Sequence, residues 1–388
     1  MSIKASRVLW LLAFICLIDA IGFGIMIPLI YSYGKKFGLN KETLGLLTAA
    51  FSVAQFFATP VLGALSDKIG RKLLLVVCLI GTCLSFLLFG LAGSLLMLFL
   101  ARILDGLTGG DISVAQAMVA DISPSAARAK NFGILGSAFG LGYVIGPAIG
   151  GLLSGFGMRV PFFFAAGLSF VGALLSLIFL RETLKKDGPK QPPFHYKALI
   201  TIFKRPVVGS AVLTGFLLTT AQFVLLIGFQ TYCSDALKLS PTQIGLFYAG
   251  FGITGILMQL AVPLINRVVP TRSVILMAST VCCAGAMVFT ALAGKIVPFA
   301  IGIGAYGLFN GLRNPMLNAI IADKSKGEEE GQVMGINQSY TSIGQAVGPA
   351  IAGLATAISL RSPFYLAALL ILAGLFVSVR VRRRESLK

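Results

Sequence analysis

The chain carries very little charge for its length. Only 12% of its 388 residues are charged, whereas 56% are hydrophobic. Soluble domains contain roughly 25% charged residues, so this composition excludes a soluble fold. A transmembrane helix needs about 20 apolar residues in succession, and nearly the whole chain consists of such runs.

Several residue types and motifs of soluble enzymes are scarce or missing. His195 is the only histidine and lies in a polar segment, so a proton relay inside a membrane must use carboxyl groups. The six cysteines show no C-x-x-C or metal-ligand spacing. No serine–lysine dyad or cysteine–histidine couple occurs either. We therefore expect no metal, no cofactor and no enzymatic activity.

Nucleotide-binding motifs are likewise missing or misplaced. No Walker sequence G-x-x-x-x-G-K-[ST] occurs, so ATP is not expected to drive the protein. The pattern G-x-G-x-x-G occurs at 250–255 and 302–307, but inside apolar runs. A dinucleotide site needs it at a strand-to-helix turn, whereas glycines within a membrane helix allow close packing.

Twelve apolar runs are long enough to span a bilayer, and they predict an all-α membrane protein with twelve transmembrane helices. No room is left for a separate soluble domain. The runs cover residues 8–33, 42–65, 73–93, 95–120, 129–155, 161–180, 206–233, 241–265, 273–293, 296–322, 331–358 and 362–379.

The net charge of +18 follows this topology. Most lysines and arginines fall in the termini and in alternate loops, which is the positive-inside pattern. We therefore expect a multi-pass protein of the cell (inner or plasma) membrane with both termini in the cytoplasm. A single basic patch would suggest nucleic acid, but these bases are dispersed, so no nucleic-acid partner is expected.

The chain divides into two similar halves. We predict an N-terminal six-helix half at 1–180, a cytoplasmic linker at 181–205 and a C-terminal six-helix half at 206–388. Gly146-Pro147-Ala-Ile-Gly recurs as Gly348-Pro349-Ala-Ile-Ala at an offset of 202 residues. Halves related by an axis along the membrane normal enclose a substrate cavity near the midplane.

Five charged residues lie within the apolar runs: Asp19, Arg102, Asp105, Asp111 and Arg313. A charge at the bilayer centre costs at least ~2.5–3.5 kcal/mol, so each is a candidate functional residue. Asp19 and Asp105 both lie roughly 15–18 Å into their helices at ~1.5 Å per residue. We predict that they form the proton-coupling region, with Arg102 biasing which acid is charged.

The spacing of these charges also suggests pairs. Arg102 and Asp105 are three residues apart and share a helix face. Asp111 would lie about 120° from Asp105 on a continuous helix and face another neighbour. We predict that Asp111 meets Arg313 across the pseudo-twofold axis. Alternatively, Asp111 is a second protonation site and Arg313 anchors an anionic substrate group.

A charged turn separates the second and third runs. It reads Gly63-Ala-Leu-Ser-Asp67-Lys-Ile-Gly70-Arg71-Lys72. The pattern G-x-x-x-D-[RK]-x-G-R-[RK] at this place resembles the signature loop of the major facilitator superfamily. The resemblance implies a gating role, in which Asp67 and Arg71 latch the cytoplasmic side when the cavity faces outward.

The fifth run carries a glycine stripe that ends in Gly146-Pro147-Ala-Ile-Gly150-Gly151. The stripe is consistent with tight helix packing alone. However, G-x-x-x-G-P-x-x-G-G in this run resembles a motif of the proton antiporters of the superfamily. The resemblance implies that Gly146 and Pro147 take part in gating, and it favours export over uptake.

The resemblance covers nearly the whole chain and is closest to the twelve-helix drug:proton antiporters, in particular the tetracycline-efflux-like branch. The segment from Asp19 to Pro28 resembles the first span of that branch. The segment from Leu100 to Gly110 resembles the R-x-x-x-G motif of the fourth span, although Asp105 replaces a usually neutral residue. The third run has no acid, unlike that of the tetracycline pumps, so tetracycline is not the expected substrate.

These observations favour a secondary transporter that exports an amphiphilic or hydrophobic small molecule in exchange for protons and functions as a monomer. The alternatives are a proton symporter or uniporter for a metabolite, lipid or siderophore, and a non-transporting receptor of the same fold. Candidate substrate contacts are Phe23, Gln116, Gln222, Phe223, Gln230, Tyr306, Asn310, Arg313, Asn314 and Asn318.

Overall fold

Within the part of the chain that is described, every regular element is a helix. The computed structural model describes residues 3–123, 125–184, 196–269, 271–324 and 329–385, and His195 lies outside them. The predicted all-helical membrane fold is therefore confirmed. The helices are α1 (Ile3–Met26), α2 (Ile30–Gly34), α3 (Lys41–Ile69), α4 (Arg71–Gly90), α5 (Leu95–Thr108), α6 (Asp111–Ile122), α7 (Ser125–Leu153), α8 (Val160–Phe179), α9 (Tyr196–Thr201), α10 (Pro206–Thr231), α11 (Pro241–Val268), α12 (Arg272–Leu292), α13 (Ile296–Lys324), α14 (Glu329–Ile358) and α15 (Ser362–Glu385).

The number of uninterrupted spans is lower than predicted. Among the described residues, ten helices are long and apolar enough to cross a membrane, or eleven if the bent helix α3 counts as one span. The two parts of α3, Lys41–Thr59 and Val61–Ile69, meet at 42°. The bend falls at Pro60, which has no backbone N–H to donate to the preceding turn.

The fourth apolar run is broken, which corrects the prediction of one helix over 95–120. Helix α5 ends at Thr108 and α6 begins at Asp111, with Gly109 and Gly110 between them. Two adjacent glycines favour such a break because glycine is a poor helix former. The side-chain amide of Gln55 donates to the Gly109 carbonyl at 2.9 Å. That bond satisfies a backbone oxygen that would otherwise be unpaired in the membrane.

The chain forms two compact units. The first includes Ala50–Pro193, and the second includes Gly250–Lys388. The short segment Ser240–Ala249 belongs to the first unit, and Asn40–Ala49 belongs to the second. The predicted boundaries at 180 and 205 stay a prediction.

The same tyrosine contact occurs once in each unit. In the first unit, the Tyr33 hydroxyl donates to the Gly90 carbonyl at 3.2 Å, and the Tyr33 ring lies 4.9 Å from that of Phe162. In the second unit, the Tyr232 hydroxyl donates to the Ala293 carbonyl at 2.7 Å. Its ring lies 5.5 Å from that of Phe364. The two contacts agree with the internal repeat seen in the sequence.

Helices α1 and α7 of the first unit approach closely through glycine. A Cβ atom on Gly146 would lie 2.7 Å from Gly24 Cα in α1. Gly142 and Gly150, one turn to either side, also face α1 backbone. Small residues at such a stripe let two membrane helices pack backbone to backbone. The stripe therefore positions Asp19, which lies on α1 between these contacts and the helix start.

Substitution of Gly146 should separate the two helices. We expect Gly146→Val to lower the stability of the purified protein by about 1–3 kcal/mol, because the added side chain overpacks the α1–α7 contact. Gly140→Val is the matched control, since nothing lies within 4 Å of a Cβ atom placed there. Thermal unfolding in detergent measures both. Equal losses for the two variants would contradict the packing role.

Candidate functional site

Arg102 and Asp105 form a buried ion pair in the first unit. Arg102 Nη1 lies 2.7 Å from Asp105 Oδ2, and their side chains are 2% and 5% exposed. The guanidinium also lies 4.2 Å from the ring centroid of Phe51. The pairing expected from the three-residue spacing is thus present. The pair neutralises a cation that would be costly if it were alone in the membrane.

Asp19 and Asp111 form a second acidic contact close by. Their carboxyl groups are hydrogen-bonded to each other. The Asp111 carboxylate also lies close to the backbone N–H groups of Asp111 and Ile112, at the first turn of α6. A hydrogen bond between two carboxyl groups needs a proton on one of them. The arrangement can therefore hold one proton between α1 and α6.

This geometry differs from the arrangement expected of a continuous fourth helix. The break at Gly109 and Gly110 makes Asp111 the first residue of α6, so the angle of about 120° on one helix does not apply. The hydrogen-bond partner of Asp19 is Asp111, whereas Asp105 is paired with Arg102. The predicted pairing of Asp111 with Arg313 stays a prediction.

A further side chain near the acids, Tyr143, was not indicated by the sequence. Tyr143 of α7 is close enough to Asp19, Asp111, Arg102 and Asp105 to interact electrostatically with all of them. Its ring lies 5.4 Å from that of Phe23. Tyr143 follows Gly142 in the glycine stripe, and its place beside a stripe that contacts α1 is the one signal that could have indicated it.

Arg313 is the buried cation of the second unit. Its side chain is 2% exposed, and Nη1 donates to the Tyr306 hydroxyl at 3.3 Å. It also hydrogen-bonds the Cys283 thiol of α12. Tyr306 is fully buried and its ring stacks on Phe251 at 5.9 Å. The contacts of Arg313 among the described residues are therefore neutral groups.

The candidate substrate contacts differ in accessibility. Those that are exposed or half-buried can meet a small molecule in this structure, whereas Tyr306, Gln230 and Arg313 are buried at 0%, 2% and 2% exposure. The burial of Tyr306 follows from its position between Arg313 and Phe251. None of these three side chains is accessible to a substrate in this conformation. The accessible candidates are Phe23, Gln116, Gln222, Phe223, Asn310, Asn314 and Asn318.

Helix α13 presents a row of asparagines. Asn310, Asn314 and Asn318 are four residues apart, and the last two are exposed. The Asn337 amide of α14 lies 3.5 Å from Asn318 Oδ1. Residues at this spacing share one helix face. Exposed amides on a membrane helix are costly against lipid, so this face is suited to water or to a polar part of a substrate.

The charged turn between α3 and α4 is held by a network around Arg71. Arg71 Nη2 lies 3.2 Å from Asp67 Oδ1, and Arg71 Nε lies 2.6 Å from Asp121 Oδ2. The Thr183 hydroxyl donates to the same Asp121 oxygen at 3.0 Å. Arg71 itself is 6% exposed. One guanidinium thus joins the start of α4 to the ends of α3 and α6.

Glu182 completes this network from the segment that follows α8. Its carboxylate accepts from the backbone N–H groups of Arg71 and Lys72, both at 3.1 Å. Gly70 precedes them and has a φ of +107°, a backbone conformation that residues other than glycine rarely adopt. Gly63 has no neighbour within 4 Å of a Cβ position. The backbone conformation therefore requires glycine at residue 70 of the motif, whereas packing does not require glycine at residue 63.

Sequence analysis did not identify two members of this network, Asp121 and Glu182. Ala120-Asp121 recurs as Ala322-Asp323 at the offset of 202 residues, and this repeat is a sequence signal for Asp121, but it does not indicate that Arg71 is the partner. Glu182 falls in the polar segment that the sequence indicates as a linker. Their contacts with Arg71 lie within the first unit, and the proposed latch role of Asp67 and Arg71 stays a prediction.

Membrane-length helices, a buried ion pair and a charged turn that requires glycine are features that secondary membrane transporters share. The sequence pattern of the Major Facilitator Superfamily matches residues 9–294 and 211–388. The chain belongs to this superfamily, and it is a transporter rather than an enzyme.

Two similar bacterial proteins have names that refer to drug resistance. The chain is 30% identical over 374 residues to Multidrug resistance protein 2 of Bacillus subtilis (strain 168), covering 94% of this chain and 93% of that protein. It is 28% identical over 397 residues to Quinolone resistance protein NorA of Staphylococcus aureus (strain MSSA476), covering 99% of each.

Solved structures show the same fold. The human organic anion transporter MFSD10 (TETRAN) matches with a TM-score of 0.73 at 21% identity, covering 97% of this chain and 100% of that one. A bacterial homolog of the human lysosomal transporter Spinster, inward-facing and occupied, matches with a TM-score of 0.79 at 15% identity. That match covers 99% of this chain and 98% of the other.

The Glu182 contact should make stability depend on pH. Partial burial raises the pKa of Glu182, but backbone N–H donors outweigh it and hold the pKa below the ordinary value of 4.5. The carboxylate therefore adds stability above about pH 4.5, and this is lost as the pH falls through the lowered pKa. We expect Glu182→Gln to lower the melting temperature at pH 7. The difference in melting temperature between this variant and wild type should become smaller as the pH falls below about 4.5.

The control is Glu42→Gln, which removes an exposed carboxylate at the start of α3. Thermal unfolding of the purified proteins between pH 3.5 and pH 7.5 gives the comparison. A difference between Glu182→Gln and wild type that stays constant over this range would contradict the contact.

Proposed function

We propose that the chain exports amphiphilic or hydrophobic small molecules in exchange for protons by alternating access, as a monomer in the cell membrane with both termini in the cytoplasm. The observation that carries the proposal is the carboxyl–carboxyl hydrogen bond between Asp19 and Asp111. A proton-driven transporter needs a site that can gain and lose a proton inside the membrane, and this pair provides one.

The proton is best placed on Asp19. Asp111 is the first residue of α6 and lies close to the backbone N–H groups of that turn, and these groups together with the helix dipole favour its carboxylate form. Asp19 then donates to Asp111. Asp19 is partly exposed, whereas Asp111 is 5% exposed. A proton can therefore reach the pair through Asp19.

Loss of this proton would change the force between two helices. Without it, two carboxylates face each other in a low-dielectric site and repel. Asp19 lies on α1 and Asp111 on α6, so the repulsion acts between these helices. The break at Gly109 and Gly110 separates α6 from α5, which carries the Arg102–Asp105 pair. Helix α6 can thus respond to protonation without breaking that ion pair.

The relatives support export of drug-like molecules. One carries the name multidrug resistance protein and another the name quinolone resistance protein. The accessible candidates on this chain combine aromatic rings with amides, which suits molecules that have apolar bodies and a few polar groups.

The proton role can be tested in proteoliposomes with the neutral dye N-phenyl-1-naphthylamine. An imposed pH gradient should drive dye out of wild-type membranes while protons move in the opposite direction. Asp19→Asn and Asp111→Asn should each abolish uphill export and the coupled proton flux, because neither altered pair can hold a proton that is shared between two carboxyl groups. Glu42→Gln is the control.

The outcomes separate the alternatives. Proton flux in the same direction as the dye would indicate a symporter, and dye movement without proton flux would indicate a uniporter. If both aspartate variants still concentrate the dye against its gradient, the Asp19–Asp111 assignment is wrong. Asp105→Asn then tests the acid first expected from the sequence.

We also propose that Asp67 and Arg71 act on conformational exchange and not on substrate contact. Asp67 is exposed and lies at the end of α3, while Arg71 links it to Asp121. Asp67→Asn should slow turnover several-fold with a binding affinity close to that of wild type, whereas Lys68→Gln should not. Dye export rates and equilibrium dye binding distinguish the two effects. A large loss of affinity in Asp67→Asn would argue against this role.

A further inference from the structure

The second unit contains a buried cation without a negative partner. Arg313 is 2% exposed, as is Arg102 of the first unit. Arg102 is paired with Asp105 at 2.7 Å. Among the described residues, no ion pair includes Arg313. The two arginines are therefore equally buried, but only one of them is neutralised.

The neighbours of Arg313 position the guanidinium without compensating its charge. The Tyr306 hydroxyl accepts from Nη1 at 3.3 Å, and Tyr306 is fixed by its stacking on Phe251. The Cys283 thiol contacts the guanidinium and donates to the Tyr306 carbonyl. Tyr306 and Cys283 are both fully buried. Arg313 Nε has no hydrogen-bond partner.

Two acids of the second unit have described side chains, and neither is on a helix of this cluster. Glu42 is at the start of α3, and Asp235 is in the turn after α10. Neither belongs to α12 or α13, the helices that carry Cys283 and Arg313. A buried guanidinium needs a hydrogen-bonded anion to offset the loss of its hydration. In this unit the described part of the chain does not supply that anion.

We propose that Arg313 binds the anionic group of the transported molecule in a state of the transport cycle that exposes its guanidinium, so that the substrates include amphiphilic anions such as carboxylates. A guanidinium with a free Nε–H can form a charge-assisted hydrogen bond to a carboxylate. Tyr306 and Cys283 position the guanidinium, and the aromatic surface at Phe251 suits an apolar body. This inference rests on the proposed function, because it names the substrate class of the proposed exporter.

A matched pair of fluorescent probes tests the inference. The first is 11-(dansylamino)undecanoate and the second is its methyl ester, which differs only in the charge of the head group. Dansyl fluorescence reports binding to the purified full-length protein in detergent. Wild type should bind the carboxylate about tenfold to a hundredfold more tightly than the ester, as expected of a hydrogen bond to a charged group.

Variants of the cluster assign this preference to Arg313. Arg313→Gln should reduce the ratio of carboxylate to ester affinity towards one, and Arg313→Lys should keep part of it. Tyr306→Phe removes the hydroxyl that positions the guanidinium and should reduce the ratio several-fold. Arg361→Gln, at an exposed arginine before α15, is the matched control and should keep the full ratio. Thermal unfolding and helical circular dichroism confirm that each variant is folded.

Two results would overturn the inference: equal binding of both probes by wild type, or an unchanged ratio in folded Arg313→Gln. Should Arg313→Gln fail to fold, the ratio in Tyr306→Phe and Arg313→Lys decides, and wild-type ratios in both would also overturn it. Failure of the proposed function is seen separately. In that case wild type does not expel N-phenyl-1-naphthylamine under a pH gradient, whether or not it prefers the carboxylate probe.

Discussion

The absence of water from the bilayer core is the constraint on which this structure depends. Every backbone group and every charge there must find a partner within the protein. Most of the chain meets this requirement by forming helices. Where the fourth run breaks, the Gln55 amide donates a hydrogen bond to the Gly109 carbonyl, and the Asp111 carboxylate lies close to the amides that open α6. The one irregular segment in this run is thus stabilised by the residues beside the candidate proton site.

The sequence predicts the fold because hydrophobic run length and charge distribution respond directly to that constraint. It also predicts the Arg102–Asp105 pair, since both residues lie on one helix and local spacing determines their separation. The Asp19–Asp111 contact could not be predicted in the same way. It depends on the break at Gly109 and Gly110, and glycines inside a membrane run indicate close packing as readily as an interruption.

The sequence also could not predict which candidate side chains are exposed. Tyr306 and Asn310 are one turn apart on α13, yet Tyr306 is fully buried and Asn310 is partly exposed. The difference arises because Phe251 and Arg313 enclose Tyr306, and Phe251 comes from another helix. Contacts between distant segments also explain Glu182, which composition assigns to a linker although its carboxylate binds the first backbone amides of α4.

The Glu182 contact has a mechanical consequence. A polar segment of this composition is normally a flexible linker, so that the elements at its two ends can move independently. Here its first residues are bonded to the start of α4 by backbone amides and, through Thr183, to Asp121. The first residues after α8 are therefore attached to the turn that contains Gly70. A displacement of Glu182 or Thr183 would act directly on that turn, so this end of the connection and the signature loop move together.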